Sequence, residues 1–327
     1  MEGICHSLTQ GSFHIKTIAT LPALIRPLIE ARLPDWLDVR WFATKVEAFT
    51  HGPGAEIGWF DMYDKGDMAA VIANASDLKW LNSVYAGIDG MPIDQLIAQG
   101  TAYTNGAGIN AVTIAEYVVM GMLTVAKGYD DVVRARDRHE WLTDSPGKVE
   151  LAGSSALLIG AGAIGGLIAT RLTAFDVAVT TVRRTPGPDN LGPDQWRAHI
   201  GDYDWIILAV PATPETDGMI GVGELAAMKP TATLINIARG SVIDQDALIA
   251  ALTSKSIAHA FLDVMTPEPL PPGHPLWTTP NAHITMHLSG RAQDKMFMRS
   301  VERFLDNLGR WHRGEPLLHQ VDLARGY

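Results

Sequence analysis

The sequence predicts an α/β chain built as two doubly wound parallel-sheet lobes, and three observations lead there. Residues 1 to about 100 alternate short apolar runs with helical stretches. A long helical pattern over 111–126 follows, and from Leu151 the alternation of strand and helix restarts. Alternation of this kind favours parallel sheets covered by helices. The 327 residues suit two domains of ordinary size, and 47% apolar with 19% charged residues marks a globular chain rather than a disordered one.

Each element has its own signal. Residues 21–32 read as a helix, broken at Pro34. Residues 37–42 alternate apolar and polar as a strand does, and 68–73 and 78–84 read as two more buried strands. The helix over 111–126 carries Ile114, Val118, Met122 and Val125 at helical spacing. A polar segment, 129–146, is rich in Asp and Arg and holds one large aromatic, Trp141. It is either a solvated face or an arm that embraces a partner subunit. In the second region, 155–159, 177–182, 205–210, 233–237 and 259–263 are strands, and 164–174 and 294–311 are helices.

The formal net charge is −10, with no basic run. Phosphate backbones need clustered Lys and Arg, so nucleic acid is not an expected partner. An anionic substrate must be drawn in by local positive groups. The single cysteine, Cys5, excludes an intramolecular disulfide and fits a reducing compartment as a terminal thiol rather than a nucleophile. Residues 1–6 lack the start of a secretory signal, and no apolar run approaches the roughly 20 residues of a membrane span. A cytoplasmic protein without membrane contact is expected, and no metal is invoked.

Gly160-Ala161-Gly162-Ala163-Ile164-Gly165 matches G-x-G-x-x-G between a buried strand and an amphipathic helix. Gly160 permits the tight turn, Gly162 lets a pyrophosphate approach the backbone, and Gly165 lets helix and strand pack closely. Free N–H groups at the helix start, from Ala163 and Ile164, attract the anion. Where NAD-preferring proteins carry an acidic residue, this chain has Arg183, Arg184 and Thr185, with no carboxylate until Asp189. Guanidinium groups suit a 2′-phosphate, so NADP(H) is the expected cofactor and NAD(H) the possible substitute.

Three stretches past strand ends carry candidate chemistry: Arg239 within 236–244, Glu268 within 262–270, and His287 within 283–290. Open α/β sheets bind ligands beyond the carboxyl ends of their strands. These stretches and the glycine motif resemble the D-isomer-specific 2-hydroxyacid dehydrogenase family, in its glyoxylate/hydroxypyruvate reductase-like, NADP-preferring branch. Residues 83–89 resemble that family's substrate loop, 104–117 its interdomain helix, and 208–221 its cofactor-lining loop.

The resemblance implies roles residue by residue. His287 is the proton donor in reduction, which suits an imidazole titrating near neutrality. Glu268 favours its protonated form and fixes the ring. Arg239 holds the substrate carboxylate and polarises the 2-oxo group. The N–H groups of Ala86 and Gly87 cradle the same carboxylate, and Asp263 hydrogen-bonds the nicotinamide amide. Val210, Pro211, Thr216, Ile237 and Ala238 line the cofactor. Two departures stand out: Met286 where the family often has Pro, and Asp176 where it commonly has Gly.

The implied architecture is a Rossmann cofactor domain, 104–287, inserted into a flavodoxin-like substrate domain, 1–103 with 288–327, the two lobes flanking a cleft. A homodimer is expected, with Trp141 on the arm. The expected activity is hydride transfer between NADP(H) and a small 2-oxo acid or D-2-hydroxy acid. Two rivals share the fold. The formate dehydrogenase branch has an amide where Glu268 stands, which argues against it; a dinucleotide-sensing binding protein without turnover is the other. Residues 49–54 and Trp59 either shape the pocket near the substrate's tail or simply pack.

Overall fold

In the computed structural model the described residues are 16–88, 90–187, 190–291 and 293–324. Cys5, Asp89 and Asp189 lie outside them. The chain divides into two units, one drawn from Met1–Gly106 and Asp294–Tyr327, the other from Ala107–Gln293.

The first unit holds five parallel strands: β1 (Thr17–Pro22), β2 (Leu37–Phe42), β3 (Ile57–Gly58), β4 (Trp80–Asn82) and β5 (Ala102–Thr104). Their order is β2-β1-β3-β4-β5, the flavodoxin-like arrangement, with its topological switch between β1 and β3. Apolar clusters cover both faces. On one, the helix Gln293–Arg313 buries Val301, Phe304 and Leu308, a helical spacing, and Phe304 stacks on Trp80 with ring centroids 5.0 Å apart.

Two expectations fail in this unit. Residues 68–73 are not a strand but lie in the helix Lys65–Asn74. A six-residue apolar run cannot declare its own period; here Asp64 decides, accepting from Asp67 N as an N-cap, so that Met68, Val71 and Ile72 fall on one buried face. Residues 21–32 are not one helix. Leu21 and Pro22 end β1, which pairs in register with β2, and only short 3-10 and α turns follow. Phe49 to His51 form the last turn of the helix Lys45–His51. Trp59 is 1% exposed and sits 5.2 Å from the Phe304 ring, so it packs.

The second unit holds seven parallel strands: β6 (Ser155–Ile159), β7 (Ala178–Val182), β8 (Asn190–Leu191), β9 (Trp205–Leu208), β10 (Thr233–Asn236), β11 (His259–Leu262) and β12 (Ala282–Ile284). The order β12-β11-β10-β9-β6-β7-β8 is Rossmann-like, and the switch lies between β6 and β9. Successive β6 residues feed opposite cores, Leu157 and Ile159 one, Ala156 and Leu158 the other. Burial on both faces explains why these strands read as continuous apolar runs. Helix Ala111–Lys127 lies close to β11 at Gly121, where a Cβ would come 2.7 Å from the Phe261 ring. Asp176 takes φ 56°, the left-handed conformation that a glycine adopts at less cost. Within the polar segment, Tyr129–Asp137 is helical and Trp141 is 91% exposed. Among the described residues no single helix is long and apolar enough to cross a membrane.

Candidate active site

At the second unit's switch point the glycine motif leaves β6 and opens the helix Ala163–Thr173. Its three glycines meet three different demands. Gly160 has φ 104°, and a Cβ there would lie 2.5 Å from Ala209 O at the end of β9. A Cβ on Gly165 would lie 2.0 Å from Gly160 O, which locks helix to strand. A Cβ on Gly162 would meet nothing within 4 Å, so this glycine leaves space rather than relieving a clash. The helix start has no side-chain cap, so its N–H groups are offered to an outside acceptor. This arrangement fits a dinucleotide pyrophosphate.

Val210 and Pro211 follow β9. The Thr216 hydroxyl donates to Pro211 O (2.7 Å) and accepts from Thr213 N (2.8 Å), holding this loop against itself. Beyond β7, Arg183, Arg184 and Thr185 are exposed. Glu215 lies within electrostatic reach of Arg184. Its carboxyl is held below the ordinary value, first by the Thr213 hydroxyl and its own N–H, then by the Arg184 charge. Nothing in local sequence pairs residues so far apart.

The acid–base pair forms between two loops. His287 Nδ1 lies 2.6 Å from Glu268 Oε2. Burial alone would raise Glu268, yet its carboxyl stays below the usual carboxylate range. The His287 hydrogen bond, the Met265 N–H (3.0 Å to Oε1), and the His287 and Arg239 charges outweigh desolvation. Arg239 therefore reaches the same patch electrostatically. Its turn approaches the Glu268 loop through Gly240, where a Cβ would sit 2.2 Å from Met265 carbonyl atoms. Ile237 and Ala238, just past β10, are buried beneath it.

Sequence reasoning does not single out Asn236 or Gln245, and it names Asp263 only for a nicotinamide contact. Buried Asn236 donates from Nδ2 to Arg239 O (2.9 Å) and accepts at Oδ1 from Ala238 N (3.0 Å), fixing the arginine turn. Gln245 grips Thr266 from both sides: Nε2 donates to its carbonyl (2.6 Å) and Oε1 accepts its N–H (3.0 Å). Asp263, 1% exposed, directs its carboxylate into the histidine turn. Its Oδ1 accepts from Thr285 Oγ1 (2.8 Å), Leu288 N (2.9 Å) and Ser289 N (3.2 Å). Its carbonyl accepts from His287 N (2.6 Å). This clamp sustains positive φ at two successive residues, 55° at Met286 and 57° at His287. Proline, locked near φ −65°, could not occupy 286 in this turn.

In the first unit, Ala86 and Gly87 lie on the turn after β4. Asn105 Nδ2 donates to Ala86 O (2.6 Å) and Gly106 N to Tyr85 O (2.8 Å). The Tyr85 and Ala86 carbonyls are thus occupied, while among the described residues the Ala86 and Gly87 N–H groups have no acceptor.

Residues 119–289 match the NAD binding domain of the D-isomer specific 2-hydroxyacid dehydrogenase family. A glyoxylate reductase/hydroxypyruvate reductase of Homo sapiens is 31% identical over 276 residues, 80% of this chain and 82% of its own. The crystal structure of a D-isomer specific 2-hydroxyacid dehydrogenase family protein from Aeromonas salmonicida aligns with TM-score 0.84 at 26% identity, over 94% of this chain and 99% of that one. A D-isomer specific 2-hydroxyacid dehydrogenase from Xanthobacter autotrophicus, solved in complex with NADPH and MES, gives TM-score 0.75 at 26% identity, over 95% and 99%. The chain therefore belongs to the D-isomer specific 2-hydroxyacid dehydrogenase family and is an NAD(P)-dependent 2-hydroxyacid dehydrogenase.

Proposed function

We propose that this enzyme reduces small 2-oxo acids of the glyoxylate and hydroxypyruvate type, using NADP(H) in preference to NAD(H). The observation that carries the catalytic reading is the 2.6 Å contact of His287 Nδ1 with Glu268 Oε2, in the electrostatic field of Arg239. With Nδ1–H committed to a carboxylate, the ring offers Nε2 to substrate. Glu268 holds the ring through Nδ1, and His287 gives a proton from Nε2 to the 2-oxo oxygen as the carbonyl is reduced. Arg239 pairs with the substrate carboxylate and stabilises developing alkoxide. The N–H groups of Ala86 and Gly87 hold that carboxylate as well.

When bound, the reduced dinucleotide supplies the hydride that C2 receives. Gly162 and the N–H groups of Ala163 and Ile164 would receive its pyrophosphate in the turn that Gly160 and Gly165 make possible, and Val210, Pro211, Thr216, Ile237 and Ala238 would line its path. Asp263 is assigned a carboxamide contact as well, beside its work in the histidine turn. Arg183, Arg184 and Thr185 would take a 2′-phosphate, and their exposure supports a ligand-facing role. The exposed Trp141 supports a homodimer joined through the 129–146 segment.

The test is steady-state reduction of glyoxylate, hydroxypyruvate, pyruvate and 2-oxobutyrate with NADPH and with NADH. Higher kcat/KM with NADPH and with the two smaller or hydroxylated acids is the expected result. Equal or better efficiency with NADH removes the cofactor assignment. Tight NADPH binding without turnover of any acid points instead to a sensor.

A further inference from the structure

Asp61 has no part in the chemistry described so far, yet three donors converge on it. Trp59 Nε1 donates to Oδ2 (2.7 Å), Val84 N to Oδ2 (2.6 Å) and Ser83 Oγ to Oδ1 (2.6 Å). Trp59 and Asp61 follow β3, whereas Ser83 and Val84 follow β4, its neighbour in the sheet. One carboxylate thus ties two strand ends together. The tie continues along the turn: Ser83 Oγ accepts from Tyr85 N (3.0 Å), and Tyr85 Oη donates to Met62 O (3.0 Å). Every backbone N–H from Val84 to Tyr85 is therefore oriented by Asp61 or by the serine it holds. The next two N–H groups belong to Ala86 and Gly87.

We propose that Asp61 is a positioning residue for substrate binding, setting the turn whose Ala86 and Gly87 N–H groups receive the 2-oxo acid carboxylate. This rests on the assignment of those two amides under Proposed function. A carboxylate is a costly way to satisfy a buried indole, because among the described residues no cation pairs with it. What it offers over an apolar residue is acceptor capacity toward several donors at once, with directions fixed by each bond. An alanine at 61 would leave Trp59 Nε1 and Val84 N without acceptors and free the turn to rotate. An asparagine would keep an oxygen facing the two N–H donors and turn its NH2 toward Ser83 Oγ, so the turn would survive.

The experiment compares Asp61→Ala, Asp61→Asn, Ser83→Ala and Gly87→Pro, using whichever panel acid the unaltered enzyme turns over fastest. For Asp61→Ala, KM for the acid should rise about tenfold or more, with kcat within about threefold and NADPH affinity unchanged, since the lost interaction is made equally in ground and transition states. Asp61→Asn should return KM to within about threefold of the unaltered enzyme. An unchanged KM in Asp61→Ala overturns the proposal. So does a joint loss of KM, kcat and NADPH affinity that asparagine fails to rescue, which is the signature of a structural role only. If Asp61→Ala does not fold, Ser83→Ala carries the test. It leaves the Trp59 and Val84 bonds in place, and a KM rise of about threefold supports the positioning role while an unchanged KM overturns it. Gly87→Pro deletes one of the two amides. If that variant binds the acid normally, the amide assignment itself fails; if it weakens binding and Asp61→Ala does not, only the Asp61 role fails.

Discussion

The two units present the same topological feature and use it in opposite ways. Each parallel sheet reverses its strand order once, between β1 and β3 in the first and between β6 and β9 in the second. Such points open a crevice beyond the strand ends. In the second unit the chain enters it as Gly-Ala-Gly, with no side chain at Gly162 and uncapped N–H groups at the helix start. In the first, the chain leaves β3 as Trp-Phe-Asp; the Trp59 ring packs against Phe304, and the Asp61 carboxylate ties the end of β3 to the turn after β4. Topology alone thus does not make a nucleotide site. The residues that leave the strand decide whether the chain opens a ligand turn or braces its own loops. The proposed division of labour gives chemistry and cofactor to the second unit and substrate positioning to the first, and four measurements can break or sharpen it.

The largest effect is expected at His287. His287→Ala should lower kcat by about a thousandfold, the scale of a positioned acid–base group, while NADPH titration shows unchanged affinity. Turnover near that of the unaltered enzyme would end the division of labour. Next comes stability at Asp61. Burial pushes its pKa up to about 6, against the hydrogen bonds from Ser83, Val84 and Trp59. Since the folded value is raised, its contribution is fully present below the ordinary value of 3.8 and is lost as pH rises through about 6. Above that window the ionised carboxylate costs at most ~3 kcal/mol, less because part of the residue still meets solvent. Denaturant unfolding should therefore show Asp61→Asn gaining stability relative to the unaltered enzyme between about pH 4 and 6, with a constant offset above. A difference independent of pH would show that the carboxylate is not desolvated.

Within the glycine motif, Gly162→Ala should weaken NADPH binding about tenfold and leave Tm unchanged, because the added methyl enters ligand space rather than protein. A fall in Tm would mean that the space is not reserved for a ligand. The smallest effect is expected at Gln245. Gln245→Ala should reduce kcat/KM by about threefold through a looser Glu268 loop, an amount comparable to one net hydrogen bond of ~0.7 kcal/mol. Steady-state kinetics decide this, and a loss confined to cofactor KM would relocate the residue's role.

The glycine motif and the ends of β6, β10 and β11 were readable because their signals are local. A glycine at a forced backbone position, or an apolar run bounded by polar turns, declares itself within a few residues. The Glu268–His287 pair was readable only through resemblance, since each side chain is unremarkable in its own segment. Residues 68–73 misled because strand and helix share that composition, and the deciding cap, Asp64, lies outside the run. Met286 shows the reverse: a change in sequence whose meaning, a turn at positive φ closed to proline, emerges only from the backbone.

The sequence by itself determined two parallel α/β sheets, a phosphate-ready glycine turn and the order of the reactive groups along the chain, because backbone sterics and hydrophobic period act between near neighbours. Tertiary structure alone decided what Asp61, Asn236, Gln245 and Asp263 do. Asp61 meets Ser83 and Val84 across 22 and 23 residues, and Asp263 meets Leu288 across 25. A carboxylate's or an amide's partners are chosen by which strand ends the sheet sets side by side, and that order is written in no single segment.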